Sequence, residues 1–338
     1  MVALFNHRVV RSLAGHRRDV SQNRTSRREH VCEMETQEFH DFDAFANSVA
    51  GVDSRMLLRD AERRNWTIDR VELPGIQIQV GRLGSGNIAC GQMHADTLML
   101  YLPLTPGIEY RGNGETIERG SFFALEPAAE FCITTQVSHD WCAVSIPIDP
   151  HQQNGVESRV RSCRVARPSR VASCQFCDIV ANVMNAAAAS PEFETSRAAE
   201  LAASKLLGLV KPIASQRRKE TQLTIGRPKV ARDEIIDRAL AILEEDQGTY
   251  PNVDELASQS GVSERTLRTI FREYFGLGPA RFLQLRQLHE LRRALRSADP
   301  DHQTVSQILT EHGVWAFGRC AARYADLFGE LPSVTLRG

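Results

Sequence analysis

The chain of 338 residues is long enough for two domains of ~100–200 residues each. Its hydrophobic (42%) and charged (25%) contents are those of a globular protein, and a formal net charge of −1 excludes any general affinity for polyanions, so a nucleic-acid contact must rest on local charge. No apolar run reaches the ~18–20 residues of a membrane span, so no membrane partner is expected.

Residues 1–36 carry Arg8, Arg11, Arg17, Arg18, Arg24, Arg27 and Arg28 against Asp19 and Glu29. They lack the uninterrupted apolar stretch of a secretory signal, so a disordered basic segment and a cytoplasmic location are expected. Met34 opens a segment of more ordinary composition and is an alternative start of translation. The eight cysteines, at 32, 90, 132, 142, 163, 174, 177 and 320, are irregularly spaced, which favours reduced thiols over a disulfide framework.

The segment 37–213 reads as one domain, effector-sensing or dimerising. Residues 37–65 are expected to form one or two helices, with Phe39, Phe42 and Phe45 three apart. From Trp66, "WTIDRVELPGIQIQVGRL" alternates with period two, and "LMLYLPL", "IEYRG", "ETIERGSFFAL", "FCITTQV" and "WCAVSIPI" follow between turn residues. Many short strands predict a β-sandwich or small barrel. After Pro150, "CQFCDIVANVMNAAAAS" and "ETSRAAELAASKLLGLVKPI" read as two helices packed behind it. Residues 214–231 are polar and basic, hold Gly226 and Pro228, and have the composition of a linker.

From 232 to 338 the pattern is helical. "VDELASQSGVSERTLRTIFREYFG" reads as a helix-turn-helix over 253–274: Leu256 and Ala257 point inward, Gly261 turns the chain, and Ser263 caps the second helix. That helix hides Leu267, Ile270, Phe271 and Phe275 and shows Arg265, Arg268, Thr269 and Arg272. Arginine's planar fork can hydrogen-bond guanine O6 and N7 together, or grip phosphate. A long helix opening at Pro279 follows, with Phe282, Leu285, Leu288, Leu291 and Leu295 as its apolar stripe. A second unit spans 305–328. Thr304 caps it, Gly313 turns it, and Val314 stands where Val262 stands. Cys320, Tyr324 and Phe328 take the places of Leu267, Phe271 and Phe275, and Gly329 closes the helix as Gly276 does. Two such units joined by ~20 helical residues, ~30 Å long, suit neighbouring major grooves ~34 Å apart. From 262 onward arginines exceed acids by three, while acids crowd residues 233–255.

These two ordered units, "LASQSGVSERTLRTIFREYFGLGPARFLQLRQLHELRRAL" and "GVWAFGRCAARYADLFGELPS", resemble the DNA-binding domain of AraC/XylS-type transcription regulators. The resemblance implies an α+β multidomain protein, with a cupin-like β-barrel ahead of a seven-helix DNA-binding domain. It implies double-stranded promoter DNA, a small-molecule effector, RNA polymerase and a second copy of the chain as partners, and neither cofactor nor catalysis. It places DNA contacts on Ser263, Arg265, Arg268, Thr269 and Arg272, and in the second unit on Ala316, Phe317, Arg319, Ala321, Ala322 and Arg323. The second unit departs from the family's pattern: Ala316, Phe317, Gly318, Ala321 and Ala322 offer base edges no hydrogen bonds, so the first unit is expected to read sequence. The second is expected to grip phosphates through Arg319 and Arg323 or to meet thymine methyls through Phe317. "FGELPSVTL" and "GVWAFGR" most resemble the ethanolamine-responsive branch.

Two other readings are weaker. A metal-dependent cupin enzyme needs a His-x-His pair, and "GQMHADTLMLY" gives His94 with Asp96 alone, while His139 is isolated. An alkylation-repair regulator needs a zinc-held cysteine acceptor. Cys174 and Cys177, with Cys163 upstream, supply one Cys-x-x-Cys where that signature has two. "GRLGSGNIACG" is glycine-rich, is expected between strands, and lacks the following helix of a phosphate loop.

Overall fold

The computed structural model describes residues 35–148, 163–214, 232–245 and 251–338. The basic segment, Cys32, Met34 and nearly all of the expected linker lie outside the described residues.

The amino-terminal part is an antiparallel β-structure. Strand β1 (Glu35–Phe39) is followed by a short helix, α1 (Phe42–Ser48), and then by β2 (Val52–Leu73) and β3 (Ile76–Met93), which form one long hairpin turned at Gly75. The helix expected across 37–65 is therefore confined to α1, and 52–65 is strand. The period-two signal begins only at Trp66 because β2 leaves its ladder twice before that, between Leu58 and Asp60 and between Ala61 and Trp66. Strands β4 (Thr97–Pro103), β5 (Tyr110–Gly112), β6 (Glu115–Thr116), β7 (Phe122–Leu125), β8 (Glu130–Thr135), β9 (His139–Pro147) and β10 (Arg164–Ala166) complete the sheet. Its order is β10-β7-β4-β9-β3-β8-β5-β6, with β2 along the other edge of β3. The lower half of β3 pairs with β9 and the upper half with β8, which coils the sheet into a nearly closed barrel.

The sheet is buried on both faces, which explains the unbroken apolar runs. Tyr101, Phe123, Trp141 and Ala143 point into the barrel. Leu100, Phe122, Cys142 and Val144 point outward, under helices α2 (Arg170–Ala189) and α3 (Arg197–Ala214). These helices answer with Phe176, Val180, Val183 and Met184, and with Ala199, Ala203, Leu206 and Val210, each set spaced at three and four residues.

Two expectations about this part are corrected. Cys90 and Cys132 are joined by a disulfide. They face each other across β3 and β8, a pairing that irregular spacing along the chain could not reveal. Cys142, Cys163, Cys174, Cys177 and Cys320 are free thiols. The glycine-rich "GRLGSGNIACG" is not a loop between strands but lies inside β3. Its glycines admit close neighbours: a Cβ on Gly81 would sit 2.4 Å from the Trp141 ring, and one on Gly86 would sit 2.3 Å from the Gln136 carbonyl.

The carboxyl-terminal part holds seven helices among the described residues: α4 (Arg232–Glu245), α5 (Val253–Gln259), α6 (Glu264–Phe275), α7 (Pro279–Ser297), α8 (Val305–Glu311), α9 (Phe317–Phe328) and α10 (Pro332–Arg337). Asn252 with Glu255, and Thr304 with Gln307, close capping boxes on the first helix of each unit. Ser263 accepts from the Thr266 amide at the start of α6. The units are not identical. Two residues separate Gly261 from α6 but three separate Gly313 from α9, and the additional one is Trp315, 77% exposed. Ala316, which begins α9, offers no side-chain cap. The apolar core runs without a break from the barrel interior into these helices.

Candidate nucleic-acid interface

The site is built on the outward faces of α6 and α9. In α6, Leu267, Phe271 and Phe275 are fully buried and Ile270 nearly so, and Phe271 and Phe275 pack on Phe282 of α7 with ring centroids 5.5 and 4.6 Å apart. This fixes the helix's rotation, and Arg265, Arg268, Thr269 and Arg272 are left exposed with Ser263 at the amino end. Arg268 is paired with Glu264 one turn back, and this exposed pair would have to open for Arg268 to meet a base. The Thr269 hydroxyl donates to the Arg265 carbonyl at 3.0 Å, so toward a ligand it presents its methyl group and an acceptor.

In α9 the rotation is fixed by Tyr324 and Leu327, both buried, with Cys320 and Phe328 half-buried. Tyr324 is locked by a 2.8 Å hydrogen bond to Thr335 and packs tilted against Phe328, ring centroids 4.6 Å apart. Ala316, Phe317, Gly318, Arg319, Ala322 and Arg323 are exposed and Ala321 half-exposed. The outward face is therefore two arginines around an apolar patch, extended by Trp315, which sequence reasoning passed over. Its signal was the additional residue in the second turn.

Arginine count alone overstates the charge available. Arg286 is tied to Glu290 and to the Leu243 carbonyl. Arg292, only 7% exposed, pairs with Asp41 at 2.8 Å, Asp43 at 3.1 Å and Glu330 at 2.6 Å, and lies 4.6 Å over the Phe328 ring. Burial opposes its charge, but Asp41 and Glu330 more than restore it and its pKa is raised. Burial likewise opposes ionisation of Asp41, but Arg296, the Ala44 amide and Arg292 outweigh it and hold the carboxyl at about 2. Asp41 and Asp43 belong to α1 and its cap, so this cluster fastens the amino-terminal part to α7. His289 of α7 completes the seam. Its Nε2 accepts the Leu58 amide at 2.8 Å, and Phe42 and Phe328 flank its ring. Burial, then Arg293 and Arg292, lower its pKa to about 3, and the Leu58 N–H on its lone pair favours the neutral ring too.

Residues 256–338 match the helix-turn-helix domain family. This quarter of the chain is a helix-turn-helix domain. The chain is similar to the XylDLEGF operon transcriptional activator of Pseudomonas putida: 30% identity over 101 residues, covering 30% of this chain and 32% of that protein. It is also similar to the probable thc operon regulatory protein of Rhodococcus erythropolis, at 34% identity over 110 residues, covering 32% of this chain and 33% of that protein. These similarities thus span about a third of each relative's length. Among solved structures, the AraC-like transcriptional activator CuxR aligns over 76% of this chain and 94% of its own, with a TM-score of 0.41 and 12% identity.

The other candidate centres are scattered. His94 lies 3.6 Å from Asp53 rather than on Asp96, and both are exposed. His139 is buried in the barrel among Ser85, Val137 and Thr135, and burial lowers its pKa to about 4, against the opposing pull of the Val137 and Ser85 carbonyls. Cys174 and Cys177 sit on α2, and burial, then Cys174 and Asp178, push the Cys177 thiol up to about 12. Among the described residues no three His, Cys, Asp or Glu side chains converge as metal ligands, and no helix is long and apolar enough to cross a membrane.

Proposed function

We propose that this protein is a sequence-specific DNA-binding transcription regulator of the AraC/XylS type, with residues 37–213 as an effector-sensing and dimerising domain ahead of the DNA-binding domain at 232–338. The observation that carries the reading is the duplicated unit: two helices, each locked by a buried stripe, each with an arginine-bearing face left free. Ser263, Arg265, Arg268, Thr269 and Arg272 read bases and phosphates from α6. Arg319 and Arg323 grip phosphates from α9, and Phe317, between Ala316 and Ala322, meets thymine methyls. The similarity to two operon regulators supports activation at a promoter, with RNA polymerase as a partner. Ethanolamine is the first effector to test, from the motifs that resemble that branch.

The test is selection of bound duplexes from a random library, followed by Arg268→Ala and Arg319→Ala on the selected site. Loss of the base contact at Arg268 is expected to cost about 1–3 kcal/mol and to relax preference at one position. Arg319→Ala is expected to weaken all sequences alike. Selection of no sequence refutes the function, and the reverse pattern refutes the division of labour.

A further inference from the structure

The barrel holds the two reading helices by their carboxyl ends, and with arginines in both cases. An α-helix leaves its last carbonyls without partners inside the helix, and these carry the negative end of its dipole. In α6 and α9 the closing glycines, Gly276 and Gly329, take left-handed φ of +67° and +80° and return their amides to Arg272 and Ala325. The next carbonyl along is that of Glu273 in α6 and of Asp326 in α9, each three residues before its glycine. Both are taken by the barrel: Arg111 of β5 donates to the Glu273 carbonyl, and Arg64 of β2 donates to the Asp326 carbonyl at 2.9 Å. Arg59 of β2 adds two more bonds on α6, to the Phe275 carbonyl at 2.9 Å and the Gly276 carbonyl at 3.3 Å. Arg64 approaches α9 so closely that a Cβ on Gly329 would sit 2.4 Å from its Nε.

The route of β2 explains how one strand reaches both helices. Arg59 falls in the first interruption of its ladder with β3, and Arg64 in the second. Bulges of this kind re-aim side chains out of a sheet. Just before the first interruption, Leu58 donates to His289 of α7, the helix that joins the two units. The other ties between the units are α7, its neighbours and the Arg292 cluster with Asp41, Asp43 and Glu330.

We propose that β2, with Arg111, is a positioning element for DNA reading: it clasps equivalent ends of α6 and α9 and so sets the distance between the two DNA elements the protein accepts. Arg59 and Arg64 are positioning residues that touch no base. The inference rests on the DNA-reading assignment above and goes beyond it in giving the barrel a direct part in operator geometry.

The test uses the full chain. The site selected by the wild type is rebuilt with its two contacted elements moved together or apart by one base pair. The wild type is expected to lose about tenfold in affinity for either shift, and Arg59→Gln/Arg64→Gln less than about threefold, with base preferences inside each element unchanged. A merely structural role would lower affinity for every spacing equally, so an undiminished spacing penalty in the double variant overturns the proposal whatever its overall affinity. Arg64 is exposed, so Arg64→Gln alone keeps the fold should the double variant lose it. Its penalty is expected to fall to about fivefold or less, and an unchanged penalty again overturns the clasp. A wild type that selects sites but tolerates every spacing refutes the clasp alone, and one that selects nothing refutes the DNA-reading assignment together with it.

Discussion

Acid should loosen the seam between the barrel and the helix-turn-helix domain through His289, and the barrel interior through His139. In the folded protein burial, aided by Arg293 and Arg292, lowers its pKa from 6.5 to about 3, and His139 is lowered by its own burial from 6.5 to about 4. A base whose folded pKa is depressed takes up its proton first in the unfolded chain. The stability tied to its neutral form is intact above about 6.5 and is lost as pH falls from there toward the folded value. Each such group contributes a slope of about 1.4 kcal/mol per pH unit inside that window. At about pH 5 each histidine has removed about 2 kcal/mol, and the pair about 4 kcal/mol, a large share of the ~5–15 kcal/mol of an ordinary domain. Asp41, held at about 2, titrates below this range and does not contribute to it. Urea unfolding between about pH 7.5 and 4.5 on the wild type and His289→Gln measures the effect, because the difference between the two curves isolates one group. The variant should show a slope smaller by about 1.4 kcal/mol per pH unit. Parallel curves would show that His289 is hydrated or already charged in the folded protein, and would refute the reasoning.

Three further outcomes are expected. Arg292→Met takes from Asp41, Asp43 and Glu330 the cation they share, leaving Arg296 on the two aspartates alone, and should cost about 2–3 kcal/mol in urea unfolding, partly restored by Asp43→Asn; a loss below about 1 kcal/mol would mean the cluster is solvated. Replacing thymines by uracils in the element bound by α9 removes one methyl each. It should weaken binding about threefold per contacted base, near the ~0.8 kcal/mol of a buried CH₂, and Phe317→Ala should abolish that difference; equal affinity for both bases would leave Phe317 without a role in reading. Cys90 and Cys132 should resist alkylation until reduced while Cys174 labels without reduction, as peptide mass spectrometry would report. By the loop-entropy relation, their link across a separation of 42 residues should add about 3–4 kcal/mol to thermal stability; labelling of both without reductant would refute the bond.

The exposed arginine face of α6 was legible in the sequence because a helix carries its instructions locally. Three- and four-residue spacing of Leu267, Ile270, Phe271 and Phe275 states which side is buried, and Arg265, Arg268 and Arg272 must then lie opposite. Ser263 and Thr304 as caps, Gly261 and Gly313 at the turns and the closing Gly276 and Gly329 mark the ends through contacts within a few residues. The same held for the outer helices α2 and α3, whose apolar stripes meet the sheet as expected. Local pattern failed where strands are long and both faces are buried. Residues 52–65 read as helix because β2 leaves its ladder twice before Trp66, and the glycines of β3 read as a loop because the rings and carbonyls that crowd them come from other strands.

What the chain order and spacing determined, then, is the identity of the helices and which side of each meets the outside. Only the tertiary structure decided what joins across distance: the disulfide between facing strands, the burial of Arg292 among carboxylates from a helix ~250 residues away, and the arginines of one strand on the ends of two helices. Contacts of that kind depend on strand register and on where bulges fall. A one-residue slip turns every side chain of a strand to its other face, and nothing in the local pattern of β2 specifies against it.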